Sequence, residues 1–178
     1  MSLNGVKEKI PDFGRDIRLN LETILTEEGA PGLTVHQVWS TALACAYASD
    51  STELVQALLQ DPQASVLDDD YREAARSAAA IMAMNNVYYR TVHLMEDPAL
   101  QKLPARLRMN VIGKPQVSKV DFEAMSFAVS ALAGCGQCLT AHKNVLRSAG
   151  MDDSGLHSLI RIASVIKAAD SALRISRM

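Results

Sequence analysis

No glycine lies between Gly32 and Gly113, and no proline follows Pro115. Glycine and proline weaken a helix interior more than any other residues, by about 1 and 3 kcal/mol relative to alanine. Two long stretches of the chain are thus each free of one breaker, and Pro31-Gly32, Pro62, Pro98, Pro104 and Pro115 mark the joints. The apolar 48% of the chain is mostly Ala, Leu, Val, Ile and Met, with only 4% aromatic residues. Strands favour aromatic and β-branched side chains, and no segment alternates apolar and polar with period two. The expectation is an all-α, single-domain helical bundle spanning residues 1–178.

The pattern predicts helices over 3–10, 16–26, 35–49, 52–60 and 69–94, then 122–133, 135–149, and a last one toward Arg174. The run from Ala74 to Met84 is alanine-rich, which lets helices approach closely. Ser118 to Asp121 resembles a capping box, which makes Asp121 a helix cap. Gly150 suits a C-terminal cap, and Asp152, Asp153 or Ser154 can start the last helix. Ser40-Thr41-Ala42-Leu43-Ala44 echoes Val129-Ser130-Ala131-Leu132-Ala133, a similarity that alanine-rich helices reach by chance as readily as by duplication.

A net charge of -2 offers no basic footprint for nucleic acid or for an anionic membrane surface. No run approaches the roughly 20 apolar residues of a membrane span, and Met1 to Arg15 lacks the apolar segment of a signal peptide. Three cysteines, only two of them close in sequence, do not make a secreted disulfide framework. They point to a reducing, cytoplasmic setting, where Cys-x-x-Cys serves redox chemistry or metal binding.

The chemistry concentrates in Gly134-Cys135-Gly136-Gln137-Cys138 and His142. Gly134 and Gly136 are natural where one helix stops and the next begins. Both cysteines then fall in the first turn of a new helix, where unsatisfied N–H groups and the helix dipole favour a thiolate. Cys135 and Cys138 are close enough to form a disulfide. Cys138 and His142 are one helical turn apart on one face, so the imidazole can take or shuttle the thiol proton. A carboxylate would complete a proton relay. Glu123, in the preceding helix, is the best local candidate, although spacing alone does not select it.

Two other uses of the motif compete. Cys135, Cys138 and His142 supply three zinc ligands, whereas a structural site wants four; His36, His93 and His157 have no cysteine companion. A thioredoxin-type dithiol follows a strand, and here the preceding residues read as helix. Cys45 reads as a small core residue, and the methionines as core filler. His36 and His157 read as surface or capping residues, and His93 as a cation at a helix end. Asn85-Asn86 and Tyr88-Tyr89-Arg90 are odd in mid-helix and read as helix–helix hydrogen bonding.

These residues resemble those of the AhpD-type alkylhydroperoxidases, within the carboxymuconolactone decarboxylase-like superfamily. The resemblance runs over nearly the whole chain: Asp16 to Leu21, Met84 to Arg90, Leu107 to Ile112, and most specifically Phe122-Glu123, Ser126 to Ala131, and Cys135-x-x-Cys138-x-x-x-His142. It implies an all-helical homotrimer that acts as an antioxidant thiol peroxidase on organic hydroperoxides, without a bound cofactor or metal. By the same resemblance Cys138 attacks the peroxide, Cys135 resolves the sulfenic acid as a disulfide, and Glu123 and His142 form the relay. A lipoylated protein is the implied reductant and a peroxiredoxin a possible recipient. In the second case the chain is a dithiol electron-transfer adaptor or redox sensor. Where some members carry histidine before the second cysteine, this chain has Gln137, which hydrogen-bonds but carries no proton at neutral pH.

Overall fold

The structure, a computed structural model, describes residues 2–178. Among them there are ten α-helices and no strand: α1 (Leu3–Lys9), α2 (Arg15–Ile24), α3 (Val35–Ala48), α4 (Thr52–Leu59), α5 (Asp69–Leu94), α6 (Pro98–Gln101), α7 (Asn110–Gly113), α8 (Lys119–Ala133), α9 (Gly136–Ser148) and α10 (Asp153–Ile175). The all-α expectation holds.

Most of the helices start where short polar side chains accept orphan N–H groups, the exceptions being α2, α4 and α7. Asp68 accepts from the Tyr71 amide to start α5, with Asp69 and Asp70 in its first turn facing the positive end of the helix dipole. Asp152, of the three candidates, starts α10 by accepting from the Gly155 amide at 2.8 Å. The reciprocal capping box belongs to Thr34 and Gln37 at α3. At α8 only half of that motif forms: the Ser118 hydroxyl accepts from the Asp121 amide.

Helix α8 is the centre of the bundle, packed by α3, α5, α9 and α10. Every residue from Asp121 to Ser130 is buried. The alanine-rich half of α5 presents Ala74, Ala75, Ala78 and Met82 to this core, and α3 presents Ala42, Leu43, Cys45 and Ala46. Small side chains on both helices let their backbones approach, as the sequence implies. At the far end the loop before α3 crosses the start of α10. Gly32, at φ +81°, sits so close that a Cβ there would lie 2.5 Å from the Gly155 amide nitrogen. Arg161 and Ser158 of α10 donate to the carbonyls of Gly29 and Pro31.

Residues 95–117, to which the sequence pattern assigns no helix, carry the single-turn helices α6 and α7, and no residue among them is buried. Each is a single turn, too short to leave a periodic pattern in the sequence, although Val111 and Ile112 of α7 pack half-buried against the core.

Candidate active site

Helix α8 ends on Gly134 in the left-handed conformation, φ +65°. A Cβ at 134 would meet nothing within 4 Å, so the glycine is there for its backbone angle and not for space. The Gly134 amide donates to the Ala131 carbonyl and the Cys135 amide to the Ser130 carbonyl, both at 3.2 Å. The chain then turns straight into α9, with Cys135 as its N-cap. The Cys135 sulfur accepts from the Cys138 amide at 3.3 Å. The two cysteines are joined as a disulfide, with Cα atoms 5.3 Å apart. Cys135 is fully buried and Cys138 is 6% exposed, so the second cysteine is the more open of the two to solvent.

One turn along α9, His142 meets the carboxylate that spacing could not select. Its Nδ1 lies 2.6 Å from Glu123 Oε2, and both side chains are buried. The pair joins α9 to α8 and ends one helical turn from Cys138. With Nδ1 engaged, Nε2 is the ring nitrogen left to exchange a proton with a thiol.

Asp121 has another role than helix cap. Its carboxylate accepts from Gln37 Nε2 at 2.8 Å and from the Tyr71 hydroxyl at 2.7 Å, tying α8 to α3 and α5. Burial, then this bond, push the Tyr71 phenol up to about 12. Two residues apart on one helix, Asp121 and Glu123 point to different neighbours.

One of the two mid-helix asparagines of α5, Asn86, and Arg90 hold the dithiol turn. Asn86 Oδ1 accepts from the Ser130 hydroxyl at 2.9 Å. Arg90, one turn later, donates to the carbonyl of Ala133, the last residue of α8. Asn85 is buried, and its Oδ1 finds no partner among the described residues. The oddity of this segment is visible in the sequence, but its partners are not, since they lie more than 40 residues away.

Cys45 is a buried core residue whose thiol is pushed far up by burial, leaving it inert. His36 packs against the Tyr71 ring, centroids 5.1 Å apart, while His93 and His157 are exposed. Among the described residues no group of three or more His, Cys, Asp or Glu side chains is arranged to hold a metal ion. None of the described helices is long and apolar enough to cross a membrane.

Residues 98–177 match the model of the carboxymuconolactone decarboxylase family. The whole chain is similar to proteins named alkyl hydroperoxide reductase AhpD. That of Streptomyces griseus is 51% identical over 94% of this chain and 93% of the relative. That of Brucella anthropi is 46% identical over 97% of each, and that of Coxiella burnetii 44% identical over 92% of each. A likeness of this strength along nearly the full length, with the buried dithiol and its imidazole–carboxylate pair, makes this chain a member of the AhpD family.

Proposed function

We propose that this protein is a dithiol peroxidase that reduces organic hydroperoxides. The observation that carries the reading is the buried Glu123–His142 pair, 2.6 Å apart, one turn from Cys138. The names of the relatives support the substrate class.

In the reduced protein, Glu123 acting through His142 takes the proton of Cys138. The thiolate attacks the terminal peroxide oxygen, the O–O bond breaks, and the leaving alkoxide takes a proton to become the alcohol. Cys138 is left as a sulfenic acid. The Cys135 thiol condenses with it, forming the Cys135–Cys138 disulfide and releasing water. An external dithiol of the lipoyl type, carried on a lipoylated protein, then attacks a disulfide sulfur and is itself oxidised in a second exchange. The greater exposure of Cys138 favours attack there, with Cys135 leaving as a thiolate stabilised by the Cys138 N–H at the helix start. No prosthetic group enters the cycle. The working form is a cytoplasmic homotrimer in this reading.

The test is steady-state consumption of cumene hydroperoxide with dihydrolipoamide, by the wild type and by Cys138→Ser and Cys135→Ser. Turnover is expected to vanish in both variants, with Cys135→Ser still consuming one equivalent of peroxide per reduced chain. Full activity in Cys138→Ser overturns the assignment. Disulfide exchange without peroxide consumption by the wild type makes the protein an electron adaptor, with a peroxiredoxin as the recipient to seek.

A further inference from the structure

The segment that clamps the dithiol turn has a second face that the cycle above does not use. Tyr88, Tyr89, Val92 and His93 of α5 form one wall of a cleft of about 460 Å³, and Gln137, one of the two residues between the cysteines, lies in another. The connector after α5 closes it with side chains that include Leu103, which is 60% exposed. That volume is in the range of a small-molecule site.

The chemistry of the walls narrows the occupant. The Tyr88 and Tyr89 rings meet edge to face, centroids 5.1 Å apart, and with Val92 and Leu103 they offer aromatic and aliphatic surface. The polar groups are two phenols, an imidazole and the carboxamides of Gln101 and Gln137. No Asp, Glu, Lys or Arg lines the cleft. The His93 imidazole is its one basic group, so the cleft offers no fixed charge to pair with an anionic head group or a charged protein surface. An uncharged molecule with an apolar body and one or two hydrogen-bonding atoms matches it.

The reaction needs such a seat. Cys138 is only 6% exposed, so a hydroperoxide must be oriented to bring its terminal oxygen to the sulfur, and fixing the body of the molecule next to the reacting atom does this. We infer that the cleft between the end of α5, the 95–105 connector and the start of α9 binds the organic body of an uncharged aralkyl or alkyl hydroperoxide, and so sets the preference of the enzyme for organic peroxide over hydrogen peroxide. Neither cysteine lines the cleft; Gln137, which precedes Cys138 in the chain, links the two, and its carboxamide N–H can donate to the peroxide oxygens. This inference rests on the peroxidase reading and adds the specificity site to it.

The experiment compares kcat/KM for cumene hydroperoxide and for hydrogen peroxide in the wild type, Leu103→Glu and Tyr88→Ala, with Val87→Glu as a control. Val87 is 60% exposed on the same helix and lies outside the cleft. Apolar contacts of one or two carbon groups are worth about tenfold or more in discrimination. The ratio of the two constants is expected to fall at least about tenfold in both cleft variants and to hold in Val87→Glu. A ratio unchanged in both cleft variants overturns the inference. So does a change confined to the KM for dihydrolipoamide, which would make the reductant the occupant. A change of oligomeric state with the ratio intact would make the occupant a second copy of the chain, and overturns it too. Consumption of neither peroxide by the wild type is a different result: it refutes the peroxidase reading itself, and the inference falls with it.

Discussion

Glu123→Gln isolates the relay, because it keeps the side-chain shape and an acceptor oxygen for the His142 ring while removing the anion. Glu123 is 3% exposed and His142 9%, so no solvent molecule readily replaces the carboxylate. In the limit where His142 without its carboxylate and the helix start give no help, a thiol of ordinary pKa near 8.5 is about 3% ionised at pH 7. Measured against a thiol that the relay ionises fully, peroxide attack should therefore slow by up to roughly thirtyfold, or about 2 kcal/mol of barrier. At pH 9.5 the same thiol is about 90% thiolate without help, and the two proteins should react within about twofold of each other. The stability change should be small by comparison. A charge-assisted hydrogen bond is lost, but the cost of burying the carboxylate goes with it. The assay is a single-turnover stopped-flow measurement on pre-reduced protein from pH 6 to 10, with thermal melts alongside. A variant as fast as wild type at pH 7 refutes the relay. A defect of equal size at pH 7 and pH 9.5 also refutes it, since the carboxylate would then be acting on something other than thiol ionisation.

Three further perturbations probe the scaffold. Arg90→Met removes the donor on the Ala133 carbonyl and should loosen the dithiol turn by about 1 kcal/mol, read as roughly fivefold faster hydrogen exchange at the Cys135 amide; unchanged exchange would show that the arginine does not hold the turn. Tyr71→Phe leaves one oxygen of buried Asp121 without its 2.7 Å donor and should cost about 1–3 kcal/mol in denaturant unfolding at neutral pH. The Tyr71 pKa is raised in the folded protein, so this stability is present below the ordinary tyrosine range and is lost as pH rises through about 12; ultraviolet titration should show that late phenol in the wild type and not in the variant. Glu53 joins α1 to the C-terminal residues by accepting from Lys9 and Arg177, and the Lys9 hydrogen bond, with help from Arg177, holds its carboxyl below the usual value of 4.5. A depressed carboxylate contributes above its unfolded pKa and loses that contribution as pH falls through the folded one. Glu53→Gln should therefore cost about 0.5–1 kcal/mol at pH 7, with the difference fading in acid below pH 4.5.

How much of this was legible in the sequence follows from what each side chain needs. The dithiol could be read because its requirements are local: a left-handed glycine, an N-cap and an imidazole one turn on all lie between Gly134 and His142. Its second clamp could not, because Asn86 and Arg90 act on Ser130 and Ala133 across the bundle. Asp121 shows why. A serine three residues before an acid is a local signal for a cap, and the serine half of it formed. The acid was drawn away because α8 is buried on all sides over residues 121–130. A helix in that position has no solvent face, so its polar groups are driven to partners on neighbouring helices, and of those on this stretch the Ser126 hydroxyl is left without one among the described residues. Asp121 finds α3 and α5, Glu123 finds α9, and Ser130 finds α5. The same burial that makes the central helix polar in several directions thus fixes its rotation against every neighbour, and that rotation is what delivers the Glu123 carboxylate to the imidazole beside the dithiol. The relay is a product of the packing of the whole core, while the dithiol is a product of one turn.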